Sequence, residues 1–202
     1  MQQLIQNLID NGSLKTPEII AAFQKIDRGD FVPDEVKNLA YENMALPIGW
    51  GQTISQPQVV AFMLELLQPQ KGEKILDVGS GSGWQTALLA SIVGDTGNVT
   101  AIERIPEVFA FGKKNLKKYN FHNVTSILGD GTKMIKPQGY FDKIIVAASG
   151  KKIPEAFKSE LKAGGKIVIP LRESIFLLTK ADNGNFSEKE FPGFVFVPLI
   201  GD

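Results

Sequence analysis

Lys74-Ile75-Leu76-Asp77-Val78-Gly79-Ser80-Gly81-Ser82-Gly83-Trp84 combines a short apolar run, an acid, and glycines at every second position. Glycine lacks the Cβ that would hold a ligand away from the backbone, and it tolerates positive φ. The run therefore reads as a strand ending in a loop that a small molecule can approach closely. Residues 84–90 read as a helix, whose first N–H groups lack intrahelical partners and attract negative charge. Capture of a small ligand with an anionic end is the chemistry this arrangement offers. A dinucleotide fingerprint, G-x-G-x-x-G counted from Gly79, would need glycine where Trp84 stands, so the spacing argues against a nicotinamide site.

One strand–helix unit later, Asn98-Val99-Thr100-Ala101-Ile102-Glu103 is a β-rich run ending in a carboxylate. A carboxylate at the end of the second strand can accept hydrogen bonds from both hydroxyls of a ribose. A third unit ends in Ile127-Leu128-Gly129-Asp130-Gly131. Upstream, Tyr41 to Pro57 is too irregular to serve packing alone. Ser55 stands just before a predicted helix from Gln56 to Leu67 with proline at its second position, and is expected to be its N-cap. Such a helix start, with a hydroxyl and free N–H groups, is also a seat for a carboxylate.

These residues need a frame, and the rest of the chain supplies one. At 202 residues and 43% hydrophobic content the chain suits a single domain over residues 1–202 with a sizeable core. We divide it into an N-terminal helical and substrate-loop region (1–70), a central ligand-binding core (71–171) and a C-terminal β region (172–202). The centre alternates strand and helix signals: strands at 74–78, 99–103, 124–128, 141–148 and 166–170, with helices from Trp84, over 106–119 and over 154–161. That alternation predicts an α/β fold, a doubly wound, mostly parallel sheet covered on both faces. In the N-terminal layer Thr16 is expected to cap a helix carrying Pro17 at its first position. After Leu171, the β-rich runs 175–179 and 194–200, with the turn signal Asp182-Asn183-Gly184 between them, are expected to pair as antiparallel edge strands.

Composition removes several classes of chemistry. The chain has no cysteine, which excludes disulfides, thiolate nucleophiles and cysteine zinc sites, and its one histidine, His122, falls in a turn. No metal site is expected. Net formal charge is zero, so no overall field favours nucleic acid or an anionic membrane. The lysines at 113, 114, 117 and 118 make one basic helix face, read as solvated surface. There is no signal-like N-terminus and no apolar stretch approaching the ~20 residues of a membrane span, so a soluble, cytoplasmic protein is expected.

The pattern D-x-G-x-G-x-G at Asp77 to Gly83 resembles the first motif of S-adenosylmethionine-dependent methyltransferases. Over nearly its whole length the chain resembles the protein-L-isoaspartate (D-aspartate) O-methyltransferase family. The resemblance is carried by L-P-I-G-x-G-Q-T-I-S-x-P from Leu46 to Pro57, the glycine motif, G-D-G at Gly129 to Gly131, I-P followed by L-K-x-G-G between Ile153 and Gly165, and the F-V-P-L tail. It implies a class I, Rossmann-like methyltransferase fold and S-adenosyl-L-methionine as cofactor, held by Gln52, Thr53, Ile54, Ser55, Asp77, Gly79, Gly81, Gly83, Glu103, Asp130 and Gly131, the last two against the adenine. It also implies Ser55 as the catalytic group, with Asn43, Leu46, Pro47, Ser55, Val197 and Pro198 around the substrate. Isoaspartyl peptides or proteins are then the partners of a monomer, and neither nucleic acid nor membrane is expected. The family usually has aspartate in place of Asn43 and histidine in place of Gln58.

Methylation of a carboxylate suits this composition. An aspartyl-type acid with a pKa of about 4 is ionised at neutral pH and needs no general base. The competing readings are a relative that methylates another carboxylate or RNA, and a non-catalytic module that only binds the cofactor.

Overall fold

The computed structural model describes residues 1–133 and 135–201. Among these, strands β3 (Lys74–Val78), β4 (Asn98–Glu103), β5 (Val124–Leu128), β6 (Phe141–Val146), β7 (Leu161–Leu171), β8 (Ser174–Lys180) and β9 (Phe186–Pro192) form one seven-stranded sheet in the order β5-β4-β3-β6-β7-β8-β9. Pairing is parallel from β5 through β7 and antiparallel from β7 to β9. The parallel strands are joined through helices α4 (Trp84–Val93) and α5 (Pro106–Leu116), with α6 (Glu155–Glu160) leading into β7. A small hairpin of β1 (Leu46–Gly49) and β2 (Gln52–Ile54) precedes α3 (Pro57–Leu67), and α1 (Gln2–Asp10) and α2 (Pro17–Lys25) form the N-terminal layer. The expected α/β architecture is the observed one. None of the helices is long and apolar enough to cross a membrane among the described residues.

Successive strand residues point to opposite faces, and the sheet divides two cores by that rule. Ile75, Val99, Ile145 and Val168 join the core under α1 to α4, whereas Leu76, Val78, Ile144, Val146 and Ile167 join the core around Phe141 and Phe157. Both faces are covered, so the parallel strands read as nearly continuous apolar runs.

Two expectations about elements are corrected. The second edge strand is the polar segment Phe186–Pro192, not the apolar run 194–200. The turn at 181–185 closes tightly, with Ala181 N–H donating to Asn185 O, and the chain pairs at once from Lys180 against Phe186. Skipping to residue 194 would open a long unpaired loop. The exposed Glu188, Lys189 and Glu190 also blunt a free sheet edge. Freed from the sheet, 194–200 crosses back over the strand ends, where Ser149 N–H donates to Val197 O at 2.7 Å and Leu199 N–H to Ser149 O at 2.8 Å. Thr16 stands at the N-cap of α2, but its hydroxyl donates to Glu65 Oε2 at 2.6 Å instead of capping. Glu65 of α3 anchors the two residues before the helix, accepting from Lys15 N–H and Thr16 N–H at 2.7 Å each.

The order of connections reverses at β3: the chain runs outward through β4 and β5, then returns to place β6 on the other side. Such a switch point leaves a crevice beyond the carboxyl ends of the strands. The loop after β3 is fixed there from below and from the side. Below it, Asp77 is fully buried and accepts from Gln85 Nε2 at 2.8 Å and Thr86 Oγ1 at 2.6 Å, which ties the first turn of α4 to β3. From the side, α5 touches the loop at Gly112, where a Cβ would lie 2.4 Å from Gly81 O.

Two outcomes follow from these contacts. Alanine is the better helix former by about 1 kcal/mol, yet Gly112→Ala is expected to destabilise the protein and weaken ligand binding at the loop, because the backbone carbonyl of Gly81 must move. Thermal melts and calorimetric titration with S-adenosylhomocysteine check this; a raised melting temperature with unchanged affinity would contradict it. For Asp77, burial pushes the carboxyl up to about 6 from an ordinary 3.8, against the hydrogen bonds of Thr86 and Gln85, with Glu103 adding a smaller upward push. A raised folded-state pKa makes its contribution fullest below pH 3.8 and lost as pH rises through 6. The stability of Asp77→Asn relative to wild type should therefore rise between pH 4 and 7.5, by about 2 kcal/mol. Parallel denaturation curves across that range would refute the assignment.

Candidate active site

Beyond the carboxyl ends of β3, β4 and β6 lies a cavity of about 440 Å³. Its floor is Val78 to Ser82 with Ala147 and Ala148, and one side is Ile102, Glu103, Arg104 and Ile105, continued by Gly129 and Gly131. The opposite wall is Ala45, Gln52 to Gln56, Val59 and Val60, and the returning segment 195–200 closes the remaining side. The glycine loop and the Gln52 to Ser55 segment, read from sequence as separate signals, thus border one space.

Gly79, Gly81 and Gly83 have φ of 77°, 54° and 88°. Their left-handed backbone turns the chain from β3 into α4 within five residues, so that Trp84 and Gln85 at the helix start also line the cavity. Glu103 is nearly buried, and its carboxylate is fixed by backbone: Oε1 accepts from Arg104 N–H at 2.8 Å and Ile105 N–H at 3.0 Å, and Oε2 from Gly81 N–H at 3.1 Å. Each carboxylate oxygen accepts about two hydrogen bonds. Oε2 therefore keeps acceptor capacity for a ligand hydroxyl while linking β4 to the glycine loop.

The expected site residues divide into those that touch the cavity and those that support it. Gln52, Thr53, Ile54, Ser55, Gly79, Gly81, Glu103, Gly131, Val197 and Pro198 line it. Asp77 lies beneath the loop, and Gly83 packs against α5, where a Cβ would meet Leu116 Cγ at 3.0 Å. The carboxylate of Asp130 turns back onto Thr132, accepting from its N–H at 2.9 Å and its Oγ1 at 2.7 Å, so the wall there is Gly129 and Gly131. At Gly131 a Cβ would come within 2.6 Å of Val78 Cγ1, which restricts the position to glycine.

Three substrate assignments fall outside the lining. Leu46 is buried in the core and Pro47 faces a separate shallow depression with Pro33, Val36, Trp50 and Phe111, because β1 alternates its side chains between core and surface. Asn43 is exposed and binds Gln58 twice, donating Nδ2–H to Oε1 at 2.9 Å and accepting Gln58 N–H on Oδ1 at 3.0 Å. The two departures from the family pattern are therefore a single contact, a neutral amide pair.

That contact also corrects the reading of Ser55. Helix α3 begins at Pro57 with Gln56 at the N-cap, and Ser55 lies one residue further out. With proline at the first helical position, the cap to the second N–H comes from Asn43 across the loop. Among the described residues no hydrogen bond holds Ser55 Oγ, which leaves the hydroxyl to the cavity it lines.

Other functional neighbours were not legible. Arg104, Ala147, Ala148, Val195 and Ile200 line the cavity, yet in sequence they are an ordinary strand end and a β-rich tail. A glycine inside a predicted helix is a signal of close approach, and Gly112 carries it. Arg28 carries none: it sits in the charged stretch Asp27-Arg28-Gly29-Asp30, yet it is fully buried.

The whole chain, residues 1–202, matches the model of the protein-L-isoaspartate(D-aspartate) O-methyltransferase family. A protein-L-isoaspartate O-methyltransferase of Ignicoccus hospitalis is 44% identical over 204 residues, covering 98% of this chain and 96% of the relative. Among solved structures, a Plasmodium falciparum β-aspartate methyltransferase in complex with S-adenosyl-L-homocysteine superposes with a TM-score of 0.87 at 26% identity, covering 98% and 97% of the two chains. A second protein-L-isoaspartate O-methyltransferase gives 0.90 at 26% identity over 99% of this chain and 66% of the other. On sequence and on fold, the chain belongs to the protein-L-isoaspartate (D-aspartate) O-methyltransferase family.

Proposed function

We propose that the protein transfers the methyl group of S-adenosyl-L-methionine to the carboxylate of L-isoaspartyl residues, and of D-aspartyl residues, in damaged proteins. The observation that carries this reading is the meeting of two walls on one cavity: the glycine loop with Glu103 on one side and Thr53 to Ser55 on the other. The residues fit the cofactor by chemistry. Backbone amides of the loop and the start of α4 suit an amino-acid end, Glu103 suits a ribose diol, and Ile102, Ile105 and Gly131 suit a flat base. When bound, the cofactor supplies an electrophilic methyl group on a sulfonium sulfur.

The protein's own contribution is placement. The acceptor is already an anion, and the one histidine, His122, is exposed and outside the cavity lining, so Ser55 Oγ has only to donate one hydrogen bond and orient the carboxylate. A single neutral donor orients the oxygen without quenching its nucleophilicity. Holding reactants in line at near-attack distance is worth about 7–11 kcal/mol. The segment 195–200 offers backbone beside the cavity to an extended peptide, a mode of recognition that depends little on side-chain sequence. The reading treats residues 1–202 as one catalytic domain acting as a monomer. Methylation of RNA through the lysine face is not favoured: Lys118 of that face already pairs with Asp30.

Incubation with methyl-labelled cofactor and paired peptides, identical except for isoaspartate against aspartate, should label only the isoaspartyl peptide, as a base-labile ester. Equal labelling, or a base-stable product, would reject the reading. For Ser55→Ala the loss of one hydrogen bond to a charged group predicts a fall in kcat/KM of about 10- to 100-fold. Cofactor affinity should stay nearly constant, and stability within about 0.5 kcal/mol, since Ser55 is not the cap.

A further inference from the structure

Arg28 has a side chain with no solvent exposure, and it donates to backbone carbonyls of two separate segments. Nη1 reaches Ala40 O at 2.7 Å and Glu42 O at 3.5 Å, and Nη2 reaches Met44 O at 2.9 Å and Ser55 O at 3.1 Å. Its guanidinium lies over the ring of Trp84, 5.3 Å from the centroid. Among the described residues no carboxylate pairs with it. Burial lowers its pKa only to about 10, so it is charged at neutral pH.

A buried cation without a counter-ion is costly, and the carbonyl dipoles around it offset only part of that cost. A polar side chain placed merely to staple a loop could be neutral. What distinguishes this site is where the stapled segments lead. Ala45, directly after the 40–44 segment, and Ser55 both line the acceptor side of the cavity, and Trp84 lines it at the start of α4. Arg28 lies behind all of them.

We propose that Arg28 is a positioning residue for the acceptor, tying the 40–44 segment to the carbonyl of Ser55 and keeping a positive charge behind the wall that receives the substrate carboxylate. The substrate part of this inference rests on the function proposed above. Apart from Trp84, the groups assigned to the cofactor, the glycine loop, Glu103 and Gly131, make no contact with Arg28, so acceptor binding should suffer more than cofactor binding.

Arg28→Lys and Arg28→Met in the full chain test it, with three readouts: S-adenosylhomocysteine affinity by calorimetry, kcat and KM on an isoaspartyl peptide, and hydrogen exchange of the 40–45 amides. Loss of one or several charge-assisted hydrogen bonds predicts kcat/KM lower by about 10-fold in the lysine variant and about 100-fold in the methionine variant. Cofactor affinity should stay within about 3-fold of wild type, and exchange of the 40–45 amides should speed up over wild type by more than that of 84–93. Should Arg28→Met fail to fold, Arg28→Lys carries the same comparison. Parallel losses of cofactor affinity and turnover would overturn the proposal and leave Arg28 as core packing, as would unchanged exchange in 40–45. Hydrogen exchange and calorimetry need no peptide. A wild-type protein inactive on the peptide, with faster 40–45 exchange and kept cofactor affinity in the Arg28 variants, would reject the substrate, while Arg28's anchoring would stand.

Discussion

The contact between α5 and the loop after β3 sets the position of the glycine side of the cavity, the frame on which the rest of the site depends. At Gly112 the helix comes so near Gly81 O that no side chain fits between them, and Asn115 Nδ2 donates to Ser82 O at 3.0 Å one turn later. Asp77 holds the same loop from beneath through Gln85 and Thr86, and Glu103 holds it from the neighbouring strand through Gly81 N–H. A loop built of glycines has little stiffness of its own. Here its neighbours supply the stiffness, so the backbone groups that meet a ligand are fixed before the ligand arrives. Preorganisation of this kind lowers the cost of binding.

The acceptor side follows the same logic with different parts. Residues 40–45 have no sheet to hold them, and the segment is pinned from within by Arg28 and from outside by Asn43, Gln56 and Gln58. The Asn43–Gln58 pair is neutral, so it adds no charge to the segment it holds. The side chains that hold this segment are thus one buried cation and neutral amides, a polarity that suits an anionic substrate.

Much of this was legible in the residues. The alternation of β-branched runs with helical stretches gave the parallel sheet, and Asp77, Gly79, Gly81 and Glu103 lay where strand ends must converge. What failed did so for identifiable reasons. The tail 194–200 is as β-rich as a strand, but local closure at 181–185 won and sent it over the cavity. Ser55 looked like a cap because serine before a helix usually is one; a proline at the first helical position and Asn43, brought in from twelve residues upstream, displaced it. Leu46 and Pro47 carry the family motif, yet alternation in a short strand turns them away from the cavity. Arg28 was invisible because burial of an arginine depends on carbonyls supplied by distant loops, which no local pattern encodes.

The central claim is that one cavity receives the methyl donor on its glycine side and the carboxylate on its Ser55 side. A crystal structure of the protein with bound S-adenosylhomocysteine tests it most directly. The ribose hydroxyls should lie within hydrogen-bonding distance of Glu103 Oε2, with the sulfur facing Thr53 to Ser55 across open space. Density for the ligand with its sulfur turned toward Gly129 and Gly131, or bound outside the cavity, would contradict it.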